Sequence, residues 1–401
     1  MDARHPSARG SLYLPTALCL VVAFATGGLT SCGDGAETTN PSTTSDVSSE
    51  AADPYLWLEE VDGEEALAWV SERNERSLAR LEGDPRYDVF YSEALALYEA
   101  SDRIPYGSYF GGHVHNFWQD EENVRGVWRR TTLASYASDE PAWETVLDVD
   151  ALARDEQENW VYKGRSCLAP EYRRCLIRLS RGGGDAVVVR EFDARERAFV
   201  EDGFFLPEAK SNVSWIDENT LFVGTDFGEG SLTSSGYPRT VRVWERGTEL
   251  SDARQIAETD SSYVSISGFV SREPGRSTRF LQATPAFFRT ELYVLDDVYE
   301  ASPIPLQEDA SFRGQMGDHL LVLLRSDWTV DDETFPEGSL VSIGLTESAR
   351  SGVPTDVELI LAPTDRMSIR GVSLSDDVGY VSILEEVTGS LLRLTRSDTG
   401  W

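Results

Sequence analysis

Between residues 54 and 100 apolar positions recur at the spacing of a helix. Leu67, Val70, Leu78 and Leu81 lie 3, 8 and 3 positions apart, close to multiples of a helical turn. Ala94, Leu97 and Tyr98 repeat the pattern in a second helix. Asp62 or Gly63 can open the first helix, and Gly83-Asp84-Pro85 separates the two. After Ser101 the pattern changes. Short strand-like runs alternate with turns rich in Gly, Pro, Asp and Asn, at 127–133, 186–192, 220–223, 240–244, 280–284, 320–324, 339–343, 378–384 and 391–395. No long amphipathic helix interrupts them. Many short antiparallel strands without a helical layer predict an all-β fold, a propeller or stacked sandwiches. Two phrases echo each other, SWIDENTLFVGTD at 214–226 and SLSDDVGYVSILEE at 373–386. Each reads as a strand, an acidic turn and a strand, the hairpin from which blades are made. A blade takes about 40–50 residues, so 106–401 would hold about six, preceded by a helical segment at 53–105.

The first residues carry a different signal. Arg4 and Arg9 precede an apolar run at 12–25 that is too short to span a bilayer as a stable helix. Leu29-Thr30-Ser31-Cys32 follows, and small residues before a Cys at this place resemble the lipobox of bacterial lipoproteins. Residues 1–31 are expected to be a signal peptide and Cys32 to carry lipid, giving a membrane-anchored protein of the bacterial envelope. An ordinary signal, with a secreted or periplasmic soluble product, is the alternative. The Ser- and Thr-rich stretch at 32–52 reads as a flexible tether. In an oxidising compartment Cys167 and Cys175, separated by LAPEYRR, form a disulfide or remain as two buried thiols; the disulfide is expected.

Composition narrows the partners. Asp and Glu number 69 against 36 Lys and Arg, a formal charge of −33, so nucleic acid, whose phosphates need clustered Lys and Arg, is not expected as a partner. The 40% hydrophobic content suffices for a sizeable core.

Longer phrases carry a family resemblance. DPYLWLEE at 53–60, NFWQD at 116–120, RGVWRRTTL at 125–133 and WETVLDVD at 143–150 occur in this order, followed by GFFLPEAK at 203–210, TDFG at 225–228 and LRSDW at 324–328. Together they resemble the prolyl oligopeptidase family of serine peptidases from Asp53 to the last residue. The resemblance implies a seven-bladed propeller over an α/β-hydrolase domain, against which the N-terminal helices pack. It implies cleavage of short peptides after proline, by a Ser, an Asp and a His that all follow the propeller in sequence.

The catalytic signature itself is not found. Such chemistry needs a Ser exposed on a strained turn, normally G-x-S-x-G, with a His base and oxyanion donors. Gly230-Ser231 and Ser235-Gly236 lack that spacing. No catalytic, cofactor-binding or metal-binding residue is therefore assigned. The propeller is expected to be truncated, the hydrolase domain absent, and the chain inactive alone. Unpaired blade edges would favour oligomers or aggregates. His113 and His115 have the H-x-H spacing that places two rings on one strand face, yet no third ligand can be named, so they read as structural. His319, beside Asp318 in a turn, reads as a surface residue. The stretch at 148–153 begins like a calcium loop but lacks its Gly and its spaced carboxylates. Two functions follow: the front part of an exported prolyl endopeptidase, gating the access of short peptides, or a free-standing, lipid-anchored propeller that binds peptides or proteins.

Overall fold

A computed structural model describes residues 53–60, 63–100, 102–375, 378–397 and 400–401. The chain divides into two compact units after Ala100. In the described part of the first, α1 spans Glu64–Glu82 and α2 spans Tyr87–Glu99. Gly63 sits at the N-cap of α1, and Glu64 and Glu65 complement the positive end of its dipole. Asp84 shapes the turn between the helices by accepting from the Arg86 backbone N–H at 2.9 Å and from its guanidinium. The apolar stripe read from the sequence is real but uncovered: Leu67, Val70, Leu78, Leu81, Leu97 and Tyr98 are all exposed.

Among the described residues the second unit is a propeller of six blades in chain order. Blade 1 comprises Ser108–Phe110, His113–Trp118, Val127–Thr131 and Glu144–Asp148. Blade 2 has Trp160–Cys167, Arg174–Arg181, Val187–Asp193 and Ala198–Phe199, with Phe205–Ala209 also pairing its third strand. Asn212–Asp217, Thr220–Gly224, Thr240–Glu245 and Arg254–Glu258 make blade 3. Blade 4 is Ser265–Glu273, Arg276–Thr284, Glu291–Leu295 and Ala301–Ile304. In blade 5, Ser311–Met316, His319–Leu323, Leu340–Gly344 and Glu358–Leu361 form the sheet, and a small hairpin, Trp328–Val330 with Glu333–Phe335, projects between its second and third strands. Met367–Ser375, Val378–Glu385 and Thr388–Leu394 make blade 6. Neighbouring strands are antiparallel throughout. The two echoing phrases form the hairpins between the first and second strands of blades 3 and 6.

The middle strands read as continuous apolar runs because both of their faces are buried. Successive side chains on a strand point to opposite faces. In blade 5, Leu320 and Val322 join the core shared with blade 4, while Leu321 joins the core shared with blade 6. Likewise Cys175 and Ile177 face blade 1 and Leu176 faces blade 3. Phe222 faces blade 4, between Leu221 and Val223, which face blade 2. Five such cores join the six blades. Packing is close enough to require Gly268, where a Cβ would lie 2.6 Å from Cγ of Phe222.

A buried ion pair also joins blades 2 and 3. The Glu191 side chain, in a residue 1% exposed, accepts two hydrogen bonds from the Arg246 guanidinium, at 2.8 and 3.1 Å, and a third from the Phe204 backbone N–H at 2.9 Å. The Arg246 guanidinium also lies over the Phe204 ring, 4.5 Å from its centroid.

Candidate substrate-facing site at the propeller axis

The first strands of successive blades converge. Asn212 donates from Nδ2 to the Ile266 carbonyl at 3.1 Å, and Ser214 from Oγ to the Gly268 carbonyl at 2.6 Å. These bonds join the first strands of blades 3 and 4, and Trp215 Nε1 joins those of blades 3 and 2 by donating to the Ser166 carbonyl at 2.9 Å. The first strands of blades 4, 5 and 6 also lie beside one another in turn, the arrangement of strands nearest a propeller axis.

The charges on these strands are not those of the whole chain. Their cationic residues are Lys163, Arg165, Arg272, Arg313 and Arg370, and their acids are Asp217 and Glu273, which sit at the last position of their strands beside a turn. Among the described residues, none of the five cations lies within ion-pair distance of a carboxylate, although many arginines elsewhere do. Lys163 donates to the Gly183 carbonyl at 2.7 Å. Arg272 donates to the carbonyls of Trp215 and Ile216 at 2.7 and 3.0 Å. Arg165 donates to the Tyr162 hydroxyl at 3.2 Å and lies over the rings of Trp128 and Phe110. Nε of Arg313 is buried without a partner. Burial pushes Arg272 and Arg313 below the ordinary arginine range, and the nearby Arg325 guanidinium adds to the effect on Arg313. Arg325 itself lies over the exposed Phe288 ring, 5.0 Å from its centroid.

A pocket of about 430 Å³ opens between the first strands of blades 1 and 2, lined by Ser108, Phe110, Tyr162, Arg165, Cys167 and Tyr172. Cys167 and Cys175 stand opposite each other in the first and second strands of blade 2, and the structure joins them as a disulfide beside this pocket. Cys32 lies outside the described residues.

The three described histidines serve packing. The H-x-H spacing does place His113 and His115 together, with ring centroids 6.3 Å apart. His115 is buried, stacks on Phe110 at 3.9 Å and accepts from Trp128 Nε1 at 3.0 Å. Burial first, then the positive charges of Arg165, His113 and Arg130, lowers its pKa to about 3, so the ring is neutral. Among the described residues, His, Cys, Asp and Glu form no group of three or more that could hold a metal. His319 differs from the surface reading: its side chain is only 14% exposed, Trp401 packs edge-on against it, and Asp356 lies 3.5 Å away. The sequence signal for this burial lies at a distance, in the aromatic Trp401.

The serines flanked by glycine are equally committed. Ser231 is buried, donates to the Gly228 carbonyl at 2.6 Å and accepts from the Phe227 N–H, while Ser235 bonds Thr233. Asp148 caps the helix Val149–Glu156 by accepting from the Ala151 N–H, so the calcium-like stretch is a helix start. The first strands thus carry cations and, at the pocket between blades 1 and 2, aromatic walls.

The fold and this axis define a β-propeller with a cationic centre. The family described as "Prolyl oligopeptidase, N-terminal beta-propeller domain" matches residues 36–400. The chain is 36% identical over 364 residues to an uncharacterized peptidase of Sinorhizobium fredii, covering 88% of this chain and 50% of that protein. An uncharacterized peptidase of Rickettsia prowazekii is 28% identical over 359 residues, covering 86% and 50%. Among solved structures, a post-proline cleaving enzyme from Rickettsia typhi superposes with a TM-score of 0.78 at 28% identity, covering 86% of this chain and 52% of that one. The chain belongs to the prolyl oligopeptidase family, as its N-terminal propeller. It spans about half the length of the curated relatives it matches.

Proposed function

We propose that this chain is the propeller portion of an exported prolyl oligopeptidase-like serine endopeptidase, and that it admits short peptides to a hydrolase domain that cleaves after proline. The observation that carries this reading is the family match over 36–400, with similar proteins that are peptidases about twice as long. The uncovered apolar stripes of α1 and α2 suit contact with such a domain, because apolar surface of this extent marks interaction sites. With no G-x-S-x-G in its 401 residues, the chain should turn over no fluorogenic proline peptide alone. Adding the separately produced second half of the Sinorhizobium relative should yield cleavage after proline, with an unfolded protein cut more slowly than a short peptide. Turnover by the purified chain alone, blocked by a serine-reactive phosphonate, would overturn the assignment of catalysis to another domain. Complexes that cleave long and short substrates equally would overturn the gating.

Export and anchoring rest on the leader at 1–31 and on Cys32. Labelled fatty acid should enter the wild-type chain in a bacterial host but not Cys32→Ala, which should leave the membrane fraction. An unlabelled wild-type chain would refute the anchor.

A further inference from the structure

We propose that the propeller axis selects peptides by charge, favouring those that bear carboxylates; this rests on the gating reading above and specifies its substrate class. The segregation of charge carries the inference. In a chain of formal charge −33, the strands nearest the axis hold Lys163, Arg165, Arg272, Arg313 and Arg370, and none of these is ion-paired among the described residues. An unpaired, desolvated cation is costly, and two guanidiniums placed together are costlier. Arg313 shows both features: its Nε is buried without a partner, and Arg325, on the neighbouring strand's extension, is close enough to repel it. Some arginines elsewhere have carboxylate partners, as Arg246 has Glu191 and Arg350 has Glu347, whereas others, such as Arg178 and Arg242, have none among the described residues. It is the grouping of five cations on the first strands, and not the lack of a partner alone, that sets these apart. The axial arginines instead keep hydrogen-bond donors that an incoming carboxylate can accept from, in the planar geometry that suits it.

The surroundings sharpen the choice of ligand. Phe110, Tyr162 and Tyr172 wall the pocket that contains Arg165, and the exposed Phe288 stacks with Arg325. Aromatic faces beside guanidiniums suit a peptide, whose apolar side chains and carboxylates alternate at short range. The acidic exterior opposes the approach of the same peptides, but over a distance that salt shortens, whereas contacts at the axis are screened less. Selection therefore acts on entry to the axis and not on attraction to the outer surface.

The test uses the 401-residue chain and calorimetric titration with two proline-containing peptides of equal length, one carrying glutamates and the other lysines. The glutamate peptide should bind at least about tenfold more tightly. Arg370→Ser, at an exposed position, should reduce that preference several-fold, and Arg313→Ser with it should abolish most of it. Arg350→Ser, which removes an outer ion pair, should leave the preference unchanged. Melting curves establish that each variant is folded; if the double variant is not, the exposed Arg370→Ser decides alone. Equal affinity for the two peptides overturns the charge selection while leaving gating intact, and binding of neither overturns both. Displacement of the glutamate peptide by equimolar inorganic phosphate also overturns the proposal, reassigning the axis to small anions.

Discussion

Arg246→Met should lower the unfolding free energy by about 3 kcal/mol, at the lower end of the range for breaking a buried ion pair from one side. The substitution leaves the Glu191 carboxylate charged and enclosed. Its remaining partners are the Phe204 N–H at 2.9 Å and Arg174, whose guanidinium is 3.7 Å away and compensates only in part. The packing of the Arg246 stem on Phe204 is largely kept by Met, so the loss reports charge and not volume. Glu191→Gln in the same chain should return much of the stability, since a neutral amide can be buried at lower cost and still accepts from the Phe204 N–H. Urea denaturation of the wild type, both single variants and the double variant measures the coupling. If the double variant is as unstable as the sum of the singles, the two residues do not act as a pair.

Acid should weaken the fold through His115, by about 2 kcal/mol between pH 7 and pH 5. In the folded protein its pKa is about 3, against an ordinary value of 6.5. Between those values the unfolded chain binds one proton more than the folded one, so stability falls as pH falls below about 6.5. The depressed carboxylates, such as Asp193, lose their contribution at lower pH, below the ordinary Asp range, and leave this window to histidine. His319 is lowered as well, chiefly by burial, so the wild-type slope contains two contributions. His115→Gln preserves an acceptor for Trp128 Nε1 and should flatten the slope by the His115 share, even if the variant is less stable at pH 7. Denaturant titrations at pH 7, 6 and 5 decide. An unchanged slope would mean that His115 is protonated in the folded protein.

Much of the architecture was legible along the chain because each blade is local. Adjacent strands pair through short turns, so runs such as those at 220–223 and 378–384 could be placed with their neighbours before any tertiary contact was known. The resemblance supplied the family, and the six blades expected from the span of 106–401 are the six found among the described residues, with the small hairpin of blade 5 as a separate two-stranded sheet. What could not be read depends on where strands lie radially. Arg165, Arg313 and Arg370 are unremarked arginines in three separate strands until the first strand of each blade is known to be axial. Glu191 and Arg246 lie 55 positions apart and meet only when blades 2 and 3 stack. The H-x-H spacing correctly put two rings together, yet the burial that keeps His115 neutral comes from Phe110 and Trp128, which spacing does not reveal. His319 misled for the same reason: its position beside a turn says nothing of the Trp401 that covers it.

Because alternate residues of one strand serve two different cores, cooperativity in this propeller runs as a line of nearest-neighbour couplings from blade 1 to blade 6 among the described residues. A blade has no reserve of its own; its stability is held jointly with those beside it. Substitutions at Trp128 and Leu321, which occupy the first and last of these cores, should therefore combine as simple sums. Substitutions at Leu221 and Phe222, consecutive in sequence, weaken separate cores but through the same strand, so they should depart from additivity although their side chains point away from each other. In this molecule the strand, rather than the contact, is the unit through which mutations interfere.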